Sequence, residues 1–392
     1  MSQRLIALST DLKQLQDDGY DISTRGAVLL VRDVPYLTAE RQIRRGTIVS
    51  TLVLADDVTV NPVEDHVAFF AGEKPHNAGG STIPYVVNEN VQQTYGGVQV
   101  NLQLSAKPKT LGQRYRNYHH KVATYVRILS GPATRIDPSV TARTQPVIVE
   151  DEEETVFNYV DSAASRAGLE VITNKLKIGA VAIVGLGGTG SYILDLLAKT
   201  PIGKIHLFDG DAFHQHNAFR APGAPTNEAL AERSTKVRRF GQIYSAMHRE
   251  IIEHDYYVDE STVDELREMD FVFIAIDSGK TRKLIAEKLE EFGDGFIDVG
   301  MGVKEKDNSL VGMVRTTTSA ANHRSRGKLP YGGGDEDDDY TRNIQIADLN
   351  ALNAILAVIK WKKLVGFYGD IEHEHQSLYT INGNYLINTD LA

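Results

Sequence analysis

The sequence predicts an α/β protein: a doubly wound, mainly parallel sheet preceded by a smaller α+β domain. Three observations carry that expectation. The apolar run Val181-Ala182-Ile183-Val184 ends in the glycine cluster Gly185-Leu186-Gly187-Gly188-Thr189-Gly190, and apolar residues then recur at helical spacing at Tyr192, Ile193, Leu196 and Leu197. That order reads as a buried strand, a tight turn and a helix start. From residue 161 onward, apolar runs of strand length alternate with helical periods, as in βαβ units. Before about residue 140 the pattern is different, with two helical segments among several short strands.

Composition bounds the function. Apolar residues make up 42% and charged residues 24% of 392, an ordinary soluble balance with room for two or three domains. The net charge of −10, without a basic run, disfavours nucleic acid as the main partner. No segment nears the ~20 apolar residues of a membrane span, and the first residues lack a signal-peptide core. The expected location is the cytoplasm, with no membrane partner. The absence of cysteine excludes disulfides, thiolate zinc sites and a cysteine nucleophile.

Taken in order, Leu5, Leu8, Leu12 and Leu15 fall on one face of a single first helix. Strands are expected at 26–31, 47–54, 66–70 and 97–104, and a helix at 114–129 with Tyr115, Tyr118, Val122 and Tyr125 on its inner face. These form the first domain, residues 1–140. A linker over 141–160 is marked by Asp137-Pro138-Ser139 just before it, by Pro146 and by the acidic run Glu150-Asp151-Glu152-Glu153-Glu154. The second domain, 161–392, holds expected strands at 179–184, 204–208, 271–276, 295–299 and 311–317. Its expected helices are 190–199, 235–250, 278–292 and 348–364. An acidic loop covers 335–339, and Asn382-Gly383 marks a terminal hairpin within 377–388.

Gly185, Gly187 and Gly190 have the spacing of a dinucleotide fingerprint, with Gly188 and Thr189 between them. Asp209 ends the next strand, placed to bind ribose hydroxyls. NAD, FAD and ATP enzymes all use this arrangement, so it leaves the nucleotide open. The residues that follow narrow it. Asp209-Gly210-Asp211 precedes Asn217 and Arg220, Lys236 starts the next helix, and Asp277 ends the third strand. A ligand with adjacent phosphates needs cations, which Arg220 and Lys236 can supply. A carboxylate at a sheet's carboxyl edge, Asp277, is the candidate magnesium ligand. A nicotinamide enzyme has no use for this set.

This constellation resembles the ThiF/MoeB and ubiquitin-activating-enzyme superfamily over residues 161–317, and in whole-chain layout the bacterial ThiF-type proteins with an extra N-terminal domain found beside ubiquitin-like partners. The resemblance implies a Rossmann-like adenylation domain that uses ATP and Mg2+. It implies a ubiquitin-like or sulfur-carrier-like protein substrate whose flexible C-terminal tail is adenylated, a conjugating or acceptor protein downstream, and a role in peptide tagging such as phage defence. It also implies a homodimer in which Arg166 reaches the partner copy's ATP site, and an N-terminal domain that serves partner binding. The sequence departs from the superfamily in lacking both the catalytic cysteine and the C-x-x-C zinc pairs. Ser319 stands in the corresponding region as a loop serine. Glu372-His373-Glu374-His375 offers two histidines but no third metal ligand. A nicotinamide-dependent oxidoreductase and a non-catalytic nucleotide-binding scaffold are the alternatives.

Overall fold

The computed structural model describes residues 2–55, 58–60, 66–108, 114–147, 155–159, 161, 169–320, 324, 329 and 344–389. The chain divides into two compact units, Met1–Ile148 and Val149–Ala392. The acidic segments 150–154 and 335–339 lie outside the described residues.

The first unit is built on a six-stranded sheet in the order Ile22–Thr24, Val28–Leu37, Ile43–Thr51, Val67–Ala71, Leu102–Ser105, Val86–Asn88. Every neighbouring pair is antiparallel. The helix Tyr118–Ile136 covers one face, started by Asn117, whose side chain accepts the His120 N–H. The helix starts later than the expected 114–129, so Tyr115 precedes it, but Tyr115, Tyr118 and Tyr125 are all buried as expected. Buried phenols need partners. Tyr115 donates to the Ala106 carbonyl at 2.6 Å, Tyr118 accepts the Val53 N–H at 2.7 Å, and Tyr125 accepts the Ala106 N–H at 2.9 Å. The helix thus holds the sheet by backbone hydrogen bonds as well as by apolar area. The single expected N-terminal helix is instead two, Ser2–Leu8 and Thr10–Asp17. Ser9 between them is extended, and its hydroxyl accepts the Thr59 N–H at 3.0 Å. That break leaves Leu5, Leu12 and Leu15 buried but turns Leu8 outward.

The second unit is built on an eight-stranded sheet in the order Ile251–His254, Lys204–Phe208, Ala180–Val184, Phe271–Ile274, Gly295–Lys306, Ser309–Ser319, Gln376–Thr380, Tyr385–Thr389. The first five strands are mutually parallel and the last three join antiparallel. Successive residues of the central strands enter opposite cores, so these strands read as continuous apolar runs. Val181, Ile183, Ile205, Leu207 and Phe273 meet Ile193, Leu197, Ala354 and Trp361 on one face. Ala182, Val184, Val272 and Ile274 meet Leu266, Ile285 and Leu289 on the other. Each fully buried Val, Leu, Ile or Phe among these contributes about 1.5–3 kcal/mol.

The strand Ile251–His254 falls outside the sequence expectation. The expected helix 235–250 is shorter, Lys236–Tyr244, and the chain turns back to the sheet edge. That edge is tied by side chains. His206 Nδ1 and His254 Nε2 are 3.0 Å apart, His254 Nδ1 is 2.9 Å from the Tyr256 hydroxyl, and Tyr256 donates to Glu265 at 2.6 Å. Burial lowers both imidazoles and favours their neutral forms. With both neutral and Tyr256 donating onward, Tyr256 accepts from His254 Nδ1 and His254 Nε2 accepts from His206. The expected strand 311–317 is longer, Ser309–Ser319, and forms a hairpin with Gly295–Lys306 through Asp307-Asn308. Both turn residues have positive φ, 52° and 56°, the backbone of a two-residue hairpin turn matched to strand twist.

Candidate nucleotide-binding site

The parallel strands direct their carboxyl ends to one edge, where open α/β sheets collect ligands. Ala180–Val184 feeds the glycine turn and the helix Gly188–Leu197. Gly185 has φ +93°, and a Cβ there would stand 2.5 Å from the Ala275 carbonyl oxygen. A Cβ on Gly190 would stand 1.8 Å from the Gly185 carbonyl oxygen, so this glycine lets the helix press against the strand end. A Cβ on Gly187 would meet nothing within 4 Å. Gly187 is the N-cap, and no side chain caps the helix start. The helix start therefore has no side-chain cap, and its positive dipole end is left for an anion, the arrangement that binds phosphate.

Asp209 is buried and clamps this turn. Its Oδ2 accepts the Leu186 N–H at 2.7 Å and its Oδ1 accepts the Asp211 N–H at 2.8 Å. Lys236, the first residue of its helix and also buried, places Nζ 2.6 Å from Asp211 Oδ2 and 3.3 Å from Asp209 Oδ2. Burial opposes ionisation of Asp211, but hydrogen bonds from Lys236 and Tyr257 outweigh it and hold the carboxyl below its ordinary value. Asp211 is the more exposed of the two acids.

Asn217 is buried, and its Oδ1 accepts the His214 N–H at 2.8 Å in a reciprocal cap of the short helix Gln215–Ala218. It shapes the turn that delivers Arg220, whose N–H bonds the Asn217 carbonyl at 3.1 Å. Among the described residues, Arg220 Nε is buried without a hydrogen-bond partner. A buried N–H of this kind calls for an acceptor.

Asp277 is exposed, past the end of Phe271–Ile274. It is not the cap of the following helix, because Ser278 takes that role and accepts the Thr281 N–H at 3.3 Å. Arg282 bonds the carbonyl of Ile276, next to Asp277, and its Nε lies 3.0 Å from the fully buried Asp298. Arg315 takes the other Asp298 oxygen and also bonds Thr317.

Arg166 lies outside the described residues. Ser319 is not in a loop as expected. It closes the strand Ser309–Ser319, is fully buried, and donates to Glu290 at 3.1 Å. Glu374 is spent on Lys363 at 2.8 Å and Lys360 at 3.5 Å. Among the described residues no group of three or more His, Asp or Glu side chains is placed to hold a metal.

Two further groups were not legible from spacing. Asn350 is buried in the helix Ala347–Leu364, accepts the Thr189 hydroxyl at 2.9 Å, and places Nδ2 3.4 Å from the Arg220 carbonyl. It ties the glycine helix to the Arg220 turn. Tyr257 donates to Asp211 Oδ1.

Residues 160–306 match the ThiF family, and residues 10–162 match a domain of unknown function, DUF6791. The ubiquitin-like modifier-activating enzyme 5 of Mus musculus is 25% identical over 164 residues, 39% of this chain and 40% of the relative. That of Gallus gallus is 24% identical over 166 residues with the same shares. The chain thus aligns with about 40% of the length of these relatives. E. coli MccB, solved with MccA-N7isoASN, is similar at 15% identity and a TM-score of 0.47, over 59% of this chain and 72% of that one. The crystal structure of PaaA is similar at 15% identity and a TM-score of 0.47, over 87% of this chain and 98% of that one.

Proposed function

We propose that this chain, which carries a ThiF family domain over residues 160–306, is an ATP-dependent adenylyltransferase acting on the C-terminal carboxylate of a peptide or protein. A ubiquitin-like protein with a flexible tail is the substrate that fits the family relation best. What supports the reading is the helix start at Gly187 with no side-chain cap, Lys236 at 2.6 Å from Asp211, the Arg220 turn tied through Asn350 to the glycine helix, and the exposed Asp277 past the end of a parallel strand.

The chemistry follows from charge. A carboxylate oxygen attacks the α-phosphorus, a Pα–O bond forms, the bond to the bridging oxygen breaks, and pyrophosphate leaves. The helix N–H groups and Arg220 neutralise charge on the phosphates. Lys236 begins this reaction paired to Asp209 and Asp211, so it serves the phosphates only by exchanging part of that pairing. Asp211 is the acid best exposed to a ribose, while Asp209 holds the turn. Asp277 is the residue that would hold Mg2+. Bound there, the ion would supply charge neutralisation on the triphosphate. No side-chain nucleophile is required, and the acyl group passes to an acceptor on another molecule.

The test is exchange of labelled pyrophosphate into ATP, driven by a ubiquitin-like protein with a free C-terminus and absent when that terminus is amidated. Binding of NADH in preference to Mg-ATP would sink the reading. Mg-ATP binding without exchange across a panel of such carboxylates would replace it with a nucleotide-binding scaffold.

A further inference from the structure

Tyr257 lies just past the edge strand Ile251–His254, where the acids of the site meet. Its ring packs over Gly210. A Cβ on Gly210 would stand 2.9 Å from ring atoms Cδ2 and Cε2, so the centre of Asp209-Gly210-Asp211 has to lack a side chain for the ring to sit there. Its hydroxyl donates to Asp211, and that bond, with burial and the charges of Asp211, Asp209 and Asp277, pushes the phenol up to about 12. The hydroxyl is therefore a standing donor at any working pH. Yet Tyr257 is 62% exposed. An aromatic this open is ordinarily a loose surface group. Here the hydroxyl is tethered and part of the ring is packed, so the remaining ring surface is held open beside Asp211.

We infer that Tyr257 is the platform on which the base of the bound nucleotide stacks. The inference rests on the ATP reading of the site and assigns the base contact within it. An exposed ring fixed beside the ribose acid offers a π-face to any purine, and stacking of this type does not distinguish adenine from guanine. The platform acts on ligands that carry a base and not on polyphosphate alone.

The experiment is calorimetric titration of the full chain and of Tyr257→Ala and Tyr257→Phe with Mg-ATP, Mg-GTP, AMP and magnesium tripolyphosphate, with thermal melting of each. Tyr257→Ala is expected to weaken ATP, GTP and AMP by about tenfold or more. Tripolyphosphate affinity should stay the same in all three proteins. Tyr257→Phe keeps the ring and should stay within about threefold of the parent, the size of one exposed hydrogen bond. In exchange assays Tyr257→Ala should raise KM for ATP and leave kcat. Unchanged ATP affinity in Tyr257→Ala overturns the platform. So does an equal loss of ATP and tripolyphosphate, which would place the effect on Asp211 and Lys236. A parent protein that binds no nucleotide overturns the ATP reading, and the platform with it.

Discussion

Asp277 is exposed at the carboxyl edge of a parallel strand, and the capping work beside it is done by Ser278. Replacing it with asparagine keeps volume and removes charge. Asp277→Asn is expected to lower pyrophosphate exchange by about 100-fold or more, on the scale of losing one preorganised electrostatic group, with the melting midpoint nearly unchanged. Exchange within a few-fold of the parent would remove Asp277 from the mechanism. Asn350 acts at one remove. Asn350→Ala deletes the contacts to Thr189 and to the Arg220 carbonyl, a cost of about 0.5–1.5 kcal/mol for each hydrogen bond. Asn350→Asp keeps an acceptor for Thr189 but loses the donor to Arg220. If Asn350 positions the site, both variants should raise KM for ATP at temperatures where they remain folded, with Asn350→Asp melting lower because it buries an unpaired charge. The motif residues were legible because strand, turn and helix fix their spacing. Asn350, Arg282, Asp298 and Tyr257 were not, because contacts across the fold bring them in and no local pattern records such contacts.

At the scale of an element, the glycine helix separates two kinds of requirement. Gly190 is constrained by protein, with backbone in the place a Cβ would take. Gly190→Ala should destabilise by about 1–3 kcal/mol or more, since backbone cannot step aside cheaply. Gly187 is constrained only by what comes to the helix start. Gly187→Ala should melt close to the parent yet bind Mg-ATP more weakly. Melting and titration of the two variants side by side check the contrast, and a Gly187→Ala protein with full ATP affinity would remove the phosphate from that position. Lys204–Phe208 matched its apolar run to the residue. Ile251–His254 was missed because it is short, lies at the sheet edge and ends in Glu253-His254, so neither alternation nor a continuous apolar run announces it.

For the whole molecule, one buried and two half-buried histidines contribute to acid sensitivity. Burial lowers His206, whose value falls to about 4, with the neighbouring His254 and Lys204 adding to it. Burial also lowers His254 and His248. Well above the unfolded value of about 6.5 these groups are neutral whether folded or not, and stability is at its full value. As pH falls from there toward about 4, the unfolded chain takes up protons that the folded chain refuses, and stability is lost. Below that, His206 protonates in the folded state too and its share of the loss ends. The slope is at most about 1.4 kcal/mol per pH unit for each histidine and smaller for the half-buried His206. Melting midpoints measured from pH 7 to pH 4.5 should fall, and His206→Gln should flatten the fall. A midpoint independent of pH over that window would mean that the His206-His254-Tyr256 chain does not hold in solution.

The Asp307-Asn308 turn also orders events in time. Pairing Ala180–Val184 with Phe271–Ile274 closes a loop of about ninety residues, whereas the eleven-pair ladder of Gly295–Lys306 and Ser309–Ser319 closes over two. Hairpins form in about 1–10 μs, long before such distant parallel strands meet. Asp298 and Arg315 would thus be brought together early, ahead of the layer they later support. A β-branched residue at the positive-φ Asn308 penalises that first step. Asn308→Val should therefore slow refolding in a stopped-flow chevron while leaving the unfolding limb nearly in place.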